Sequence, residues 1–155
     1  MTSRVMVALR IDAPPPRVFA AFTEEIAAWW QPHGLFAPSP TRRGTMSFEP
    51  GPDGRLVETF EDGEVLEVGR VRAWEPPGRL VFSWRPESFG PDHDTEVHVR
   101  FEAVDDQTRV TVEHLGWDGV PPRHAARHGF PLLAFHQREA EWWRDQLARL
   151  GAQVA

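Results

Sequence analysis

Residues 95–115 decide the fold, and they read Thr-Glu-Val-His-Val-Arg-Phe-Glu-Ala-Val-Asp-Asp-Gln-Thr-Arg-Val-Thr-Val-Glu-His-Leu. Apolar side chains recur at every second position of the two halves, at Val97, Val99, Phe101, Val110 and Val112. Successive side chains of a strand point to opposite faces, so each half predicts a strand with one buried and one solvated face. The Asp105-Asp106 turn between the halves predicts an antiparallel hairpin.

The same pattern of short β-like runs and turn residues extends upstream of this hairpin. An N-terminal strand is predicted at residues 5–11 because Val5, Val7, Leu9 and Ile11 share one side of an extended chain. Four further strands are predicted at about 44–49, 55–61, 64–74 and 79–85. Short connections between consecutive strands are typical of an antiparallel meander.

Helices are predicted at both ends of the meander. Prolines after Asp12 end the first strand and suit a first helical turn, which predicts a helix at about 16–22. Thr23 is expected to cap a second short helix that runs to Trp29-Trp30. A final helix of about twenty residues should follow Pro131, with one apolar stripe at Leu133, His136, Ala140, Trp143, Leu147 and Leu150.

Composition excludes several kinds of chemistry. The 155 residues include no Cys, Lys, Tyr or Asn, so thiolate nucleophiles, Schiff-base lysines, disulfides and Cys-rich zinc sites are impossible. Seventeen basic residues against 23 acids give a formal charge of -6, which disfavours nucleic-acid binding. No apolar run is long enough for a membrane span and no signal segment is evident, so a cytoplasmic location and one domain over 1–155 are expected.

Several motifs in this order resemble one known family. They are Ala-Pro-Pro-Pro-Arg-Val-Phe (13–19), Ile-Ala-Ala-Trp-Trp (26–30), Gly-Arg-Val-Arg-Ala-Trp-Glu-Pro-Pro-Gly (69–78) and Thr-Arg-Val-Thr-Val-Glu-His-Leu-Gly-Trp (108–117). With the terminal Trp-x3-Leu-x2-Leu motif, the chain resembles the AHSA1-like branch (activator of heat-shock ATPase) of the START-like SRPBCC superfamily. The resemblance implies an α+β helix-grip fold of order β-α-α-β6-α. In that fold a curved antiparallel sheet wraps a long C-terminal helix and leaves a cavity that often holds apolar ligands.

Two histidines and two acids are expected to face the interior. His114 shares the parity of the apolar residues in its strand, and His136 lies on the stripe of the terminal helix, so both are candidate polar handles for a ligand. The alternative is a pair of hydrogen-bonded core histidines. Glu58 and Glu67 share strand parity with apolar neighbours, although a bulge at Gly69 would turn Glu67 outward.

Aromatic side chains are expected to line the ligand site, unless they only fill the core. The residues predicted to contact a ligand are Trp30, Glu58, Glu67, Phe82, Trp84, Phe101, His114, His136 and Trp143. No catalytic residue, cofactor or metal is assigned. His124 and His128 have a spacing of four, but no third ligand is evident and neighbouring arginines would repel a cation.

Three hypotheses for function remain open at this stage. The first is a non-enzymatic domain that binds a small apolar or aromatic ligand. The second is a cyclase, dehydratase or hydrolase that uses His114 or His136 as base with Glu58 or Glu67. The third, implied by the resemblance, is a cochaperone-like activator of a heat-shock ATPase. A weak homodimer is also expected, because Trp142 lies at the edge of the helix stripe and a meander leaves an exposed edge strand.

Overall fold

The computed structural model describes residues 4–31 and 34–155. The elements in chain order are β1 (Arg4–Ile11), α1 (Pro15–Thr23), α2 (Ile26–Trp29), β2 (Thr45–Phe48), β3 (Arg55–Thr59), β4 (Val65–Glu75), β5 (Arg79–Trp84), β6 (Thr95–Val104), β7 (Gln107–Leu115) and α3 (Leu132–Val154). Two short 3-10 turns, Trp117–Gly119 and Ala125–Arg127, lie between β7 and α3. This order confirms the predicted arrangement of one strand, two short helices, six strands and a long helix.

The strands form one seven-stranded antiparallel sheet in the order β1-β7-β6-β5-β4-β3-β2. Strands β2 to β7 are a meander, as predicted, and β1 joins it beside β7 with Val7 opposite Val112. The β6–β7 hairpin turns at Asp105, whose positive φ of 54° is a conformation that Asp tolerates better than most residues. The inner face of the curved sheet packs on α1, α2 and α3, which is the helix-grip arrangement.

The N-terminal helices follow the proline and aromatic pattern with one correction. Prolines occupy the first turn of α1, where a missing N–H leaves no hydrogen bond unmade. Thr23 does not cap α2, because it is the last residue of α1 and its hydroxyl donates to the carbonyl of Phe19. Glu25 precedes α2 instead, and its carboxylate pairs with Arg17 of α1.

In the first turns of α3, the buried residues differ from those that the sequence predicted. Leu133 is 73% exposed, whereas Phe135 is fully buried. The buried face then continues through Glu139, Trp143, Gln146, Leu147 and Leu150. The predicted stripe approached Trp143 through Leu133, His136 and Ala140, at spacings of three and four. The residues buried before Trp143 are instead Phe135 and Glu139, each four positions before the next.

A β-bulge in β4 corrects the placement of Glu67. Leu56 lies opposite Gly69 but Val57 lies opposite Glu67, so Val68 is an extra residue in the ladder. Glu67 is therefore exposed and pairs with Arg70 at 3.2 Å instead of entering the interior. Gly69 is required here because a Cβ atom would lie 1.7 Å from the carbonyl oxygen of Ser83.

The core lies between the sheet and the three helices and is rich in aromatic side chains. Phe19 and Phe22 of α1 contact Phe101 of β6 with ring centroids 5.1 Å and 5.8 Å apart. Phe82 of β5 packs against Phe48 of β2 at 5.3 Å. Among the described residues, no helix has the length and apolar character that a membrane crossing needs.

Candidate functional site

A concave site of about 300 Å³ lies where three loops meet at the end of the sheet. We term it the loop cleft, and its lining is Gly34, Leu35, Phe36, Ala37, Pro38, Pro40, Trp84, Pro86, Ser88, Trp117, Ala125, Ala126 and His128. Most of these side chains are apolar, and the indole rings of Trp84 and Trp117 are the largest flat surfaces among them. A small, mostly apolar molecule fits this lining better than a charged one.

Long-range hydrogen bonds join the walls of the loop cleft. The Nε2 atom of His128 lies 2.6 Å from the carbonyl oxygen of Leu35, so this nitrogen carries the proton and donates it. On another side, the backbone N–H of Glu87 donates to the carbonyl of Pro38 at 2.8 Å. These two bonds tie the 34–40 segment to the loops that follow β5 and β7. These bonds therefore fix the positions of the loops that form the cleft.

Arg127 organises the wall contributed by residues 117–130. Its guanidinium is buried, with the residue 2% exposed, and donates to the carbonyls of Val120 and Phe130, both at 2.7 Å. Burial lowers the pKa of Arg127 from its ordinary value. The guanidinium also lies 5.1 Å above the ring of Phe135, which fixes this loop to the first turn of α3.

A buried polar cluster lies directly behind the two tryptophans of the cleft, formed by Thr95, His114, Trp117 and Glu139. His114 and Glu139 are each 1% exposed, and His114 Nδ1 lies 3.1 Å from Glu139 Oε1. The Trp117 indole N–H donates to the same oxygen at 3.1 Å. The imidazole ring of His114 is 6.3 Å from the Trp84 ring and 5.3 Å from the Trp117 ring.

Proton positions in the polar cluster follow from its donors and acceptors. The Thr95 hydroxyl donates to the carbonyl of Trp84 at 2.5 Å, so its oxygen is left to accept from His114 Nε2 at 3.0 Å. The second ring nitrogen, His114 Nδ1, lies 3.1 Å from Glu139 Oε1 but has no hydrogen-bond partner.

His136 and Glu58, two predicted inward residues, lie away from the cleft. His136 is half-buried in the first turns of α3, and burial lowers its pKa although nearby Glu139 acts in the opposite direction. Glu58 is fully buried on β3, and burial raises its pKa. Its Oε2 atom accepts from the backbone N–H of Gly44 at 2.6 Å, while Oε1 has no hydrogen-bond partner.

The structure places the sequence-predicted residues in different surroundings. Only Trp84 lines the loop cleft, and His114 belongs to the polar cluster behind it. Buried aromatic contacts hold Trp30, Phe82, Phe101 and Trp143. These four side chains are at most 4% exposed and pack in the core between the sheet and the helices, whereas the loop cleft opens at the end of the sheet.

Phe36, Trp117, Arg127 and Glu139 were missed as functional candidates. A signal existed for Glu139, because a stripe that starts at Phe135 reaches it four residues later and Trp143 four residues after that. Trp117 ends one of the recognised motifs but was not read as a wall of the site. Nothing local in the sequence marks Arg127, since its partners are backbone carbonyls of a loop.

The two histidines weighed as metal ligands make other contacts. His124 Nδ1 accepts from the backbone N–H of Ala126 at 3.1 Å, and His128 is bonded to Leu35. The ring of His124 also packs edge to face against the ring of His93, with centroids 4.6 Å apart. In residues 4–31 and 34–155, no group of three His, Asp or Glu side chains has the proximity that a metal ion requires.

The seven-stranded sheet, the long C-terminal helix and the loop cleft define an α+β helix-grip protein of the START-like SRPBCC class. The model of the family described as "Activator of Hsp90 ATPase homolog 1-like protein" matches residues 12–152. Because that match covers most of the sequence, the chain belongs to this family. Curated protein sequences gave no match.

Solved structures of similar fold cover almost the whole chain. Protein MLL2253 from Mesorhizobium loti has 20% identity and a TM-score of 0.67, with 98% of this chain and 96% of that chain covered. The Aha1 dimer from Colwellia psychrerythraea has 18% identity and a TM-score of 0.64 over the same shares. Txn09, an anthrahydroquino-gamma-pyrone synthase complexed with SUM, has 26% identity and a TM-score of 0.57, again over 98% and 96%.

Proposed function

We propose that this protein binds a small, planar and mostly apolar molecule in the loop cleft. The observation that carries the proposal is an apolar lining with two indole rings, Trp84 and Trp117, in a concavity of about 300 Å³. That volume lies at the low end of the range for ligand pockets and suits a molecule of two or three fused rings. A protein of similar fold, the synthase Txn09, is described as complexed with SUM, which is consistent with such a role.

Binding is favoured over catalysis by the relation between the cleft and the polar cluster. An acid–base pair acts on a substrate only when it lies within hydrogen-bond reach of the reacting atoms. His114 and Glu139 lie within reach of each other, but both are buried behind Trp84 and Trp117 and neither lines the cleft. We therefore assign the cluster a supporting role, in which it holds the Trp117 ring in the cleft wall.

The proposal is tested by filling the cleft. Calorimetric titration with 2-ethylnaphthalene, a two-ring apolar probe, should give saturable binding at one site. Ala126 lines the cleft, and the Ala126→Trp variant would occupy much of its volume. We expect this variant to weaken binding at least about tenfold, which corresponds to roughly 1.4 kcal/mol.

The control places the same side chain on an exposed surface. Ala148 lies on the solvent side of α3, so Ala148→Trp should keep the affinity of the unmodified protein. Equal affinities for Ala126→Trp and Ala148→Trp would contradict a binding site in the loop cleft. No saturable binding of the probe to the unmodified protein would contradict the proposed function itself.

Catalysis is a second candidate because one observation favours it. An imidazole and a carboxylate, those of His114 and Glu139, lie 3.1 Å apart in a buried setting, and such a pair of groups can supply a base and an acid. Displacement of Trp84 or Trp117 by a ligand would open that pair to the cleft. Turnover of a bound ketone that disappears in a His114→Gln variant with unchanged probe affinity would favour this candidate over simple binding.

Assembly and partner are further points that we propose from the family. The Aha1 structure from Colwellia psychrerythraea is a dimer, and β1 forms one edge of the present sheet with Met6 exposed. We expect a weak homodimer, and light scattering that gives a monomer at high micromolar concentration would exclude it.

Stimulation of a heat-shock ATPase is the third-ranked function, and a stoichiometric ATPase assay tests it.

A further inference from the structure

Three buried hydrogen-bond donors without acceptors belong to side chains at the contact between α3 and the residue that follows α2. They are the indole N–H groups of Trp30 and Trp143 and the side-chain amide of Gln146. All three residues are at most 3% exposed. An unmet buried donor costs about 1 to 3 kcal/mol, so three together in one place are unusual in a folded protein.

A ring contact and the spacing of residues on α3 place the three donor side chains in one region of the core. The rings of Trp30 and Trp143 meet edge to face, with centroids 5.4 Å apart. Gln146 follows Trp143 by three positions, so both residues share one face of α3. The Gln146 oxygen accepts from Arg149 at 2.6 Å and from the backbone N–H of Gln31 at 3.4 Å, which turns its amide N–H₂ group away from both partners.

Two aromatic side chains separate these donors from the loop cleft. Trp84 lines the cleft and contacts Trp30 with ring centroids 5.5 Å apart. The half-buried Trp142 contacts Phe36, which also lines the cleft, at 5.5 Å and Trp30 at 5.4 Å. A ligand of the cleft would therefore reach the donors by displacing the ring of Trp84 or Trp142.

We infer that Trp30, Trp143 and Gln146 bind an oxygen acceptor carried by the ligand of the loop cleft. The inference rests on the proposed function and narrows it to a planar apolar molecule that bears a neutral carbonyl, such as an aromatic ketone or quinone. A neutral oxygen is indicated because the three donors are themselves neutral. A buried anion needs a paired cation, and the guanidinium of Arg149 is already engaged by Gln146 and by the carbonyl of Trp29.

The test compares two probes that differ only at the acceptor, 2-acetylnaphthalene and 2-ethylnaphthalene. Their relative affinity is measured by calorimetry in the unmodified protein and in Trp30→Phe and Trp143→Phe, which remove an N–H but keep an aromatic ring. Each variant should reduce the preference for the ketone by about three- to tenfold, the worth of one hydrogen bond. Comparing the two probes within each protein cancels their difference in hydration.

Trp29→Phe is the matched control. Trp29 is as deeply buried and lies next to Trp30, but its indole N–H already donates to the carbonyl of Ala21 at 2.9 Å. This variant should lose stability without a change in the preference for the ketone. A second measurement needs no variant: the indole resonances of Trp30 and Trp143 should move downfield in proton–nitrogen NMR spectra with the ketone and not with 2-ethylnaphthalene.

Each outcome decides a different statement. A ketone preference that falls in Trp30→Phe or Trp143→Phe, with the downfield shifts, supports the donor site. Equal preference in all variants, with both probes bound and no selective shift, overturns it while the proposed function stands, and the donors then bind only water. Failure of both probes to bind contradicts the proposed function and the donor site with it.

Discussion

Glu139 offers the sharpest test of how the wall of the loop cleft is held, through the Glu139→Leu substitution. Leucine removes the acceptor of the Trp117 indole N–H and the oxygen that faces His114 Nδ1, both at 3.1 Å. An unpaired buried indole N–H costs about 1 to 3 kcal/mol. We expect a loss of this size in the free energy of unfolding.

A conservative variant and a surface control make this expectation specific. Glu139→Gln keeps an oxygen acceptor for Trp117 and should lose under about 1 kcal/mol. Glu141 lies on the exposed side of the same helix, so Glu141→Leu should change stability by less than about 0.5 kcal/mol. Urea unfolding followed by circular dichroism measures all three. Equal losses for Glu139→Leu and Glu139→Gln would refute the view that the acceptor oxygen is what matters.

Three other expectations follow from the burial and bonding of single residues. Phe135→Ala should lower the free energy of unfolding by about 3 to 5 kcal/mol and Leu133→Ala by under about 0.5 kcal/mol, because only Phe135 is buried. Similar denaturation midpoints for the two variants would contradict the register of α3. Arg127→Leu leaves the carbonyls that it binds without donors, and a thermal melt should show a loss of about 2 to 4 kcal/mol; an unchanged melting temperature would remove its role in the loop. Burial raises the pKa of Glu58 above its ordinary value of 4.5, so folding favours the protonated form and stability should fall as the pH rises from there through the folded-state pKa. Glu58→Gln should flatten this dependence, whereas Glu61→Gln at an exposed position should retain it.

The sheet could be predicted from the sequence because its signal is local. Alternating apolar residues in 95–115 and turn residues between the runs specify strands and short connections, and these two features fix a meander. Strand bounds differ from the prediction by one or two residues. A bulge at Gly69 was one of two alternatives for Glu67, and the sequence could not decide between them because a bulge depends on how β3 and β4 pair. The extra residue, Val68, turns Glu67 to the solvent.

The site was harder to predict because its parts come from distant segments. His114 was identified from strand parity and Trp84 was predicted among the aromatic residues of the ligand site, and both lie at or directly behind the cleft. Phe36 and His128 are 92 positions apart by their numbers and meet only because loops fold over the end of the sheet. Periodicity says nothing about such loops, so strand parity and the helix stripe could not indicate a site that these loops form.

The most direct test of ligand binding is a nuclear Overhauser measurement on the protein saturated with 2-ethylnaphthalene. Cross-peaks should connect the probe protons to the rings of Phe36, Trp84 and Trp117 and to the methyl group of Ala126, since these groups line the loop cleft. Cross-peaks confined to side chains elsewhere on the protein, with none to these four, would contradict binding in the loop cleft.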